Sequence, residues 1–314
     1  MKRFKNILVA VDDRQEEHPA LQLAVRLAEH NHAKLKVVDV VPEFSWIARL
    51  AMPDSEHTRQ VLTDDKLRNL EAIAAPLRVK GLDVATKVLH GKTSGEIRHE
   101  VLRSNHDLVL RVTKGALSRR TAFFGTTSMR LLRTCPCAVW LVPADALPRF
   151  SRVLVAVDPA PGDDAQEAMN RTVFELGRSI ANFENGQFHV VHVWELIGSS
   201  ADESWSIPGQ MGEAMRKAET KVTTALDRFL SPYELSHRSE GVHLLRDDHG
   251  PGHAISKLAR QQGIELIVMG TVARTGIAGA LMGNTAEQVI DRVECSVLTI
   301  KPNGFISPET LPVA

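Results

Sequence analysis

The chain has 314 residues, a length that suggests about two domains. Hydrophobic residues make up 43% and charged residues 24%, the balance of a water-soluble globular protein. Basic and acidic residues are equal at 38 each, so net charge gives no drive toward nucleic acid or an anionic membrane surface, and no apolar run approaches the roughly 20 residues that span a bilayer.

The first residues, Met1 to Asn6, are basic. The apolar run behind them, Ile7–Val11, is far too short for a signal-peptide core and runs straight into Asp12-Asp13, so a cytoplasmic location is expected. Ile7–Val11 itself reads as a strand buried on both faces. Pro19 to Glu29 carries Leu21, Ala24, Val25 and Ala28 at helical spacing, and Leu35–Val41 reads as a second strand. A helix is predicted over 58–80, with Val61, Leu67, Leu70 and Ile73 on one face. A strand over Leu82–Leu89, a helix over Ser94–Ser104, a strand over Leu108–Val112, a helix over Thr127–Thr134 and a strand over Ala138–Val142 follow. The remainder repeats that order, with strands near 153–157, 188–194, 242–246, 265–269 and 296–300 and helices near 165–182, 210–230, 253–262 and 285–293.

The repetition extends to residues. FKNILVAVD at 4–12 returns as FSRVLVAVD at 150–158, an offset of 146. Later the offset is 158: Gly115 matches Ala273, Gly125 matches Gly283, Thr127 matches Thr285 and Cys137 matches Cys295. The chain is therefore a duplication. Copy one covers 1–146 and copy two 147–306, with a tail at 307–314; Pro143 and Pro148 bracket the join. Strands alternating with helices predict an α/β fold: two tandem doubly wound parallel five-stranded sheets with helices on both faces. Ligands of such sheets bind beyond the carboxyl ends of the strands.

The candidate chemistry lies at those ends. Copy two reads Met269-Gly270-Thr271-Val272-Ala273, then nine residues, then Gly283-Asn284-Thr285 at a helix start. A glycine at a strand end lets backbone approach a phosphate, and a helix start offers N–H groups to an anion. The Thr285 hydroxyl is positioned to cap the helix or to meet a phosphate oxygen. Asp158, closing the first strand of copy two, stands where a ribose hydroxyl could be held.

This arrangement resembles the universal stress protein family, in its tandem-domain form, whose ATP-binding members carry G-x2-G-x9-G-[ST] after the fourth strand. The resemblance covers nearly the whole chain and implies the adenine nucleotide alpha hydrolase-like fold. It also implies ATP or a related adenine nucleotide, with Mg, as cofactor. Carried over by position, adenine and ribose would meet Ala156, Asp158 and Val193, and phosphates would meet Gly270, with Met269 beside it, Ala273, Gly283, Asn284 and Thr285. In copy one the matching residues are Ala10, Asp12, Val40, Val112, Gly115, Gly125, Thr126 and Thr127.

Both copies depart from the motif. Copy two has Ala273 for the second glycine and Asn284 where the family has Ser or Thr. Copy one has Val112 for the first glycine, which adds bulk against a ligand, and Asp13, a carboxylate that would repel a triphosphate if it pointed inward. Copy two is therefore the better candidate.

Other features are weaker. His189 and His192 point to opposite faces of one strand and cannot share a metal unaided. His249 and His253, after Asp247-Asp248, are candidate ligands for zinc or another divalent ion, but a polar loop is the favoured reading. Residues 44–52 with Trp46, and the segment at Trp205, read as an interface between copies or the lining of a hydrophobic pocket. Arg119-Arg120, beside Arg111 and Lys114, read as solvent-facing. Cys135, Cys137 and Cys295 read as structural thiols, since C-P-C is not a C-x-x-C redox spacing.

The function implied by the resemblance is that of a stress-resistance module, DNA damage included, that binds nucleotide and is not a committed enzyme. The alternatives are a sensor or carrier of a hydrophobic or phosphorylated metabolite with vestigial loops, and a weak metal-assisted ATPase. The expected partners are a small nucleotide or hydrophobic ligand, the two copies paired with each other through their fifth strands, and room for a further homodimer, with no direct nucleic acid and no membrane.

Overall fold

The computed structural model describes residues 3–12, 18–43, 54–113, 124–146, 149–160, 162–195, 210–271, 282–302, 304–305 and 307. The chain divides into two compact units, one built from Met1–Arg149 and Glu294–Ala314, the other from Phe150–Gly276 and Met282–Val293.

In the first unit the strands are β1 (Asn6–Ala10), β2 (Lys34–Val41), β3 (Val84–His90), β4 (Leu108–Val112), β5 (Ala138–Val142) and β10 (Ser296–Ile300), in spatial order β3-β2-β1-β4-β5-β10. The first five run parallel, with Ile7 opposite both Leu35 and Leu108. β10 comes from the second sequence repeat and lies antiparallel on β5, Val297 opposite Leu141 and Leu298 opposite Trp140. The fifth strands of the two repeats thus pair within this unit. The helices are α1 (Pro19–Asn31), α2 (Ser55–Val79), α3 (Thr93–Ser104) and α4 (Gly125–Thr134).

The second unit orders its strands β9-β6-β7-β8, all parallel: β9 (Leu266–Gly270), β6 (Arg152–Ala156), β7 (Gln187–Trp194) and β8 (Val242–Arg246). Its helices are α5 (Asp164–Glu184), α6 (Gln210–Leu230), α7 (Pro251–Gln261) and α8 (Asn284–Ile290). Copy two therefore contributes four strands to its own unit and its fifth to the other.

Local chemistry sets these elements. Proline opens α1 and α7, where its missing N–H costs nothing. The Asp54 and Asp163 side chains cap α2 and α5 by accepting from the backbone N–H of His57 (3.1 Å) and Gln166 (2.9 Å). Asn105 and Asn185 end α3 and α5 in the left-handed conformation that asparagine tolerates. The central strands are sealed on both faces: Ile7, Leu8, Val9, Leu108, Val109 and Leu110 in one unit, and Val153, Leu154, Leu266 and Ile267 in the other, are wholly buried. In the second unit Phe174 packs edge-on to Phe188 and Phe229 and stacks on Tyr233, tying α5 to the end of α6.

The element boundaries expected from periodicity lie within three residues of these. The buried face of α2 does not: Val61 and Leu67 are exposed, and the line facing the sheet is Lys66, Leu70 and Ala74. The reason is Asp39 on β2, whose carboxylate pairs with Lys66 Nζ at 2.6 Å and draws a cation onto the inner face. Among the described residues no helix is long and apolar enough to cross a membrane.

Candidate functional site

In the second unit the chain leaves β6 toward β7 on one side and returns as β9 on the other. Strand order thus reverses at β6 and β9, and it is outside the carboxyl ends of strands at such a switch point that open α/β sheets have the crevice that receives ligands. Asp158 lies two residues past the end of β6, and Gly270 closes β9.

Asp158 is held by its backbone. Its N–H donates to Asn170 Oδ1 at 3.0 Å, and Asn170 Nδ2 donates to its carbonyl at 2.9 Å. Asn170 is buried on α5 and Gln166 Nε2 steadies its oxygen at 3.4 Å. On the other side His192, buried on β7, lies with Nδ1 3.1 Å from the Val157 carbonyl; because a carbonyl only accepts, Nδ1 carries the proton. The same nitrogen is 3.9 Å from Asp158 Oδ1, and the Asp158 side chain remains 42% exposed. Val157 N–H continues the ladder, donating to Val191 O at 3.0 Å. A fixed backbone thus presents a partly solvated carboxylate at the crevice. Ala156 and Val193 line the same strand ends, Val193 buried and Ala156 partly so.

Gly270 is glycine for a reason the sequence did not reveal. It is not among the residues with positive φ. A Cβ there would stand 3.2 Å from Met169 Cγ and 3.4 Å from its Sδ, so α5 approaches the strand end too closely for a side chain to enter without moving Met169. Met269 before it is buried. The two ends of the glycine loop are tied together: Gly283 N–H donates to Thr271 O at 2.7 Å. Gly283 is the N-cap of α8, and no side chain caps that helix. Thr285, expected either to cap the helix or to meet a phosphate oxygen, is the second helical residue; its hydroxyl makes no hydrogen bond among the described residues, and Asn284 is exposed. Ala273 lies outside the described residues.

Copy one builds the crevice differently. The strand register places Asp39 where copy two has His192. Its Oδ1 accepts from Val40 N–H at 2.6 Å while Oδ2 takes Lys66, so the Val40 N–H is already committed inside the protein. Gly125 begins α4 with φ +67, whereas the matching Gly283 has φ −64; the two helix starts differ in backbone conformation. Val112 ends β4 and is partly buried, as is Asp12; Ala10 is buried, Thr126 exposed and Thr127 partly buried. Gly115, Asp13, Lys114, Arg119, Arg120, Trp205 and residues 44–52 lie outside the described residues.

The histidine loop closes on itself. Asp247 Oδ1 accepts from His249 N–H at 2.7 Å and Oδ2 takes His253 Nδ1 at 2.9 Å. Burial works against the Asp247 carboxylate, but these hydrogen bonds prevail and hold its pKa below the ordinary value. Among the described residues no group of three or more His, Cys, Asp or Glu side chains is placed to hold a metal ion.

The duplicated strand-end aspartates and glycine loops have a counterpart in known proteins. The profile described as the universal stress protein family matches residues 3–143 and again 149–301. The chain belongs to the universal stress protein family. Universal stress protein E of Photorhabdus laumondii is 28% identical over 316 residues, which cover 98% of each chain. Universal stress protein E of Escherichia coli strain K12 is 29% identical over 318 residues, covering 99% of this chain and 98% of its own. Among solved structures, a functionally unknown protein of Pseudomonas aeruginosa PAO1 is similar with a TM-score of 0.75 at 23% identity, covering 97% of this chain and 95% of its own. A universal stress protein of Archaeoglobus fulgidus gives 0.63 at 17% identity, covering 95% and 97%. The fold is that of tandem universal stress proteins.

Proposed function

We propose that this universal stress protein binds an adenine nucleotide, ATP in the first instance, in the crevice of its second unit, and that it acts in stress resistance as a cytoplasmic binding module and not as a dedicated enzyme. The observation that carries the reading is the clamped Asp158 at the switch point, opposite a strand end whose side chain is missing against Met169. A partly exposed carboxylate on an immobile backbone suits a ribose diol. A Cβ-free strand end suits close approach of phosphate. Ala156 and Val193 would flank the adenine, and Gly270, Gly283, Asn284 and Thr285 would meet the phosphates. Copy one is the structural counterpart, its Val40 N–H taken by Asp39 and its strand end filled by Val112.

Calorimetric titration of the full chain with ATP tests the reading. Binding is expected to a single site, lost in Gly270→Val and weakened at least tenfold in Asp158→Ala, with phosphate release at background throughout. A titration without heat, or Gly270→Val binding as well as the parent, overturns it. An apolar molecule co-purified with both proteins would point instead to a metabolite carrier. Phosphate release abolished by Asp158→Ala would point to a metal-assisted ATPase.

A further inference from the structure

The cysteines of copy one stand outside the nucleotide reading. Cys135 follows the last residue of α4, and its N–H donates to Leu131 O at 2.9 Å. Pro136 fixes the step to Cys137, which is immediately followed by β5. The backbone turn folds the two side chains onto each other, with the sulfurs 3.5 Å apart. Cys135 is wholly buried and Cys137 only partly. A disulfide needs about 2.05 Å between sulfurs, so closure asks for a movement of about 1.5 Å, within reach of small side-chain rotations.

The surroundings are those of a thiolate. Lys301, the residue after β10, is buried and donates from Nζ to the carbonyls of Leu132 at 2.6 Å and Arg133 at 3.4 Å, in the last turn of α4. Phe305 covers it, with its ring centroid 4.5 Å from Nζ. Burial lowers the Lys301 pKa to about 8, and the two sulfurs work in the opposite direction. The Cys135 thiol is held below its ordinary value by the Cys137 S–H, against burial, with help from Lys301 and Arg98. Cys137 is correspondingly raised, through Cys135 and burial, with Asp107 adding to it. Cys295 has no such setting; burial alone pushes it up to about 12.

We propose that Cys135 and Cys137 form a redox-sensitive dithiol, closed to a disulfide by low-molecular-weight disulfides and reopened by thiols. The pair first gives up one proton to solvent, and the proton that remains, shared along the S···S contact, moves onto Cys135 so that the negative charge reaches Cys137, the residue of the two that keeps exposed surface. Cys137 Sγ attacks one sulfur of RSSR; the S–S bond of the reagent breaks and RS⁻ leaves. Cys135 Sγ, its proton passed to that thiolate, then attacks Cys137 Sγ and expels a second RS⁻, which takes back from solvent the proton released at the start. Two protein thiols are oxidised, and one RSSR is reduced to two RSH. The small ring enclosing one proline is strained, which places this disulfide among the readily reduced ones.

The test is thiol counting on the folded full chain after exposure to oxidised glutathione, followed by denaturation, alkylation and mass measurement. The parent is expected to go from three alkylated cysteines to one, with no retained glutathione and a peptide spanning 135–137 lighter by two hydrogens. Dithiothreitol restores all three. Cys135→Ser is expected to trap glutathione on Cys137. Lys301→Met is expected to slow closure about threefold for each tenfold loss of thiolate, because the stronger nucleophilicity of a more basic thiol offsets part of that loss, whereas Lys301→Arg keeps the rate. Three alkylated thiols after exposure of the parent, a cross-link to Cys295, or a parent that stops at the mixed disulfide would each overturn the proposal.

Discussion

Replacing Asn170 by alanine isolates the clamp on Asp158. The change removes an acceptor 3.0 Å from Asp158 N–H and a donor 2.9 Å from its carbonyl, both in a buried amide. Each lost hydrogen bond is worth about 1 kcal/mol net, and a backbone group left without a partner adds a further ~1 kcal/mol, less where water can enter. The sum is about 3 kcal/mol, since the Asp158 end is only partly buried. Hydrogen exchange followed by mass spectrometry on the peptide spanning 153–160 is the direct assay, because it reads the Asp158 amide itself and does not require two-state unfolding of a two-unit chain. Protection at that amide should fall by roughly two orders of magnitude, which is about 3 kcal/mol at 1.4 kcal/mol per factor of ten. Asn170→Asp should do no better: it keeps the acceptor for the N–H but turns an oxygen toward the carbonyl. Unchanged protection in Asn170→Ala would refute the claim that this amide fixes the strand end.

Two further predictions concern pH and buried charge. His189 Nδ1 and His243 Nε2 lie 3.2 Å apart on neighbouring strands, and burial lowers both pKa values. Their contribution is full above the unfolded value of 6.5 and is lost as pH falls through the folded values, at a slope of at most about 1.4 kcal/mol per pH unit for each ring. Urea melts between pH 7 and pH 5 should show that loss, and His243→Gln should flatten it; a pH-independent parent would contradict it. Glu100, 1% exposed, meets Lys36 and Lys87, each at 2.7 Å; burial opposes its charge, but these cations and Ser104 bring its pKa to about 2. Glu100→Ala should cost about 3 kcal/mol near neutral pH, and in the parent that stabilisation should fade as pH drops below 4.5 toward 2. Equal stability of the two proteins at pH 7 would refute it.

The repeat, the succession of strands and helices along each copy and the strand-end aspartates were legible in the sequence because they are written in local pattern: apolar runs, helical spacing and a constant offset. What escaped was set by contacts across sequence. Nothing in the helical periodicity of 58–80 marks Lys66 as an inner residue; only Asp39, 27 positions away, does so. Gly270 was attributed to phosphate approach alone, while Met169 on a separate helix also crowds the place a side chain would take there. Gly125 and Gly283 align as letters yet adopt φ of opposite sign, a difference no local pattern announces. The C-P-C step was dismissed on spacing, a criterion blind to the turn that brings the sulfurs together and to a lysine 166 positions from the first of them.

The placement of β10 has a consequence for how the chain comes to be folded. Among the described residues β5 finds its antiparallel neighbour in 296–300, so the first unit waits for the synthesis of the second repeat to cover that strand. Until then the nascent chain carries a fully apolar strand, Ala138–Val142, with one edge of N–H and C=O groups open, the kind of edge that recruits other chains. Synthesis order and folding order are therefore out of step: β5, in the repeat made earlier, is covered by a strand of the repeat made later.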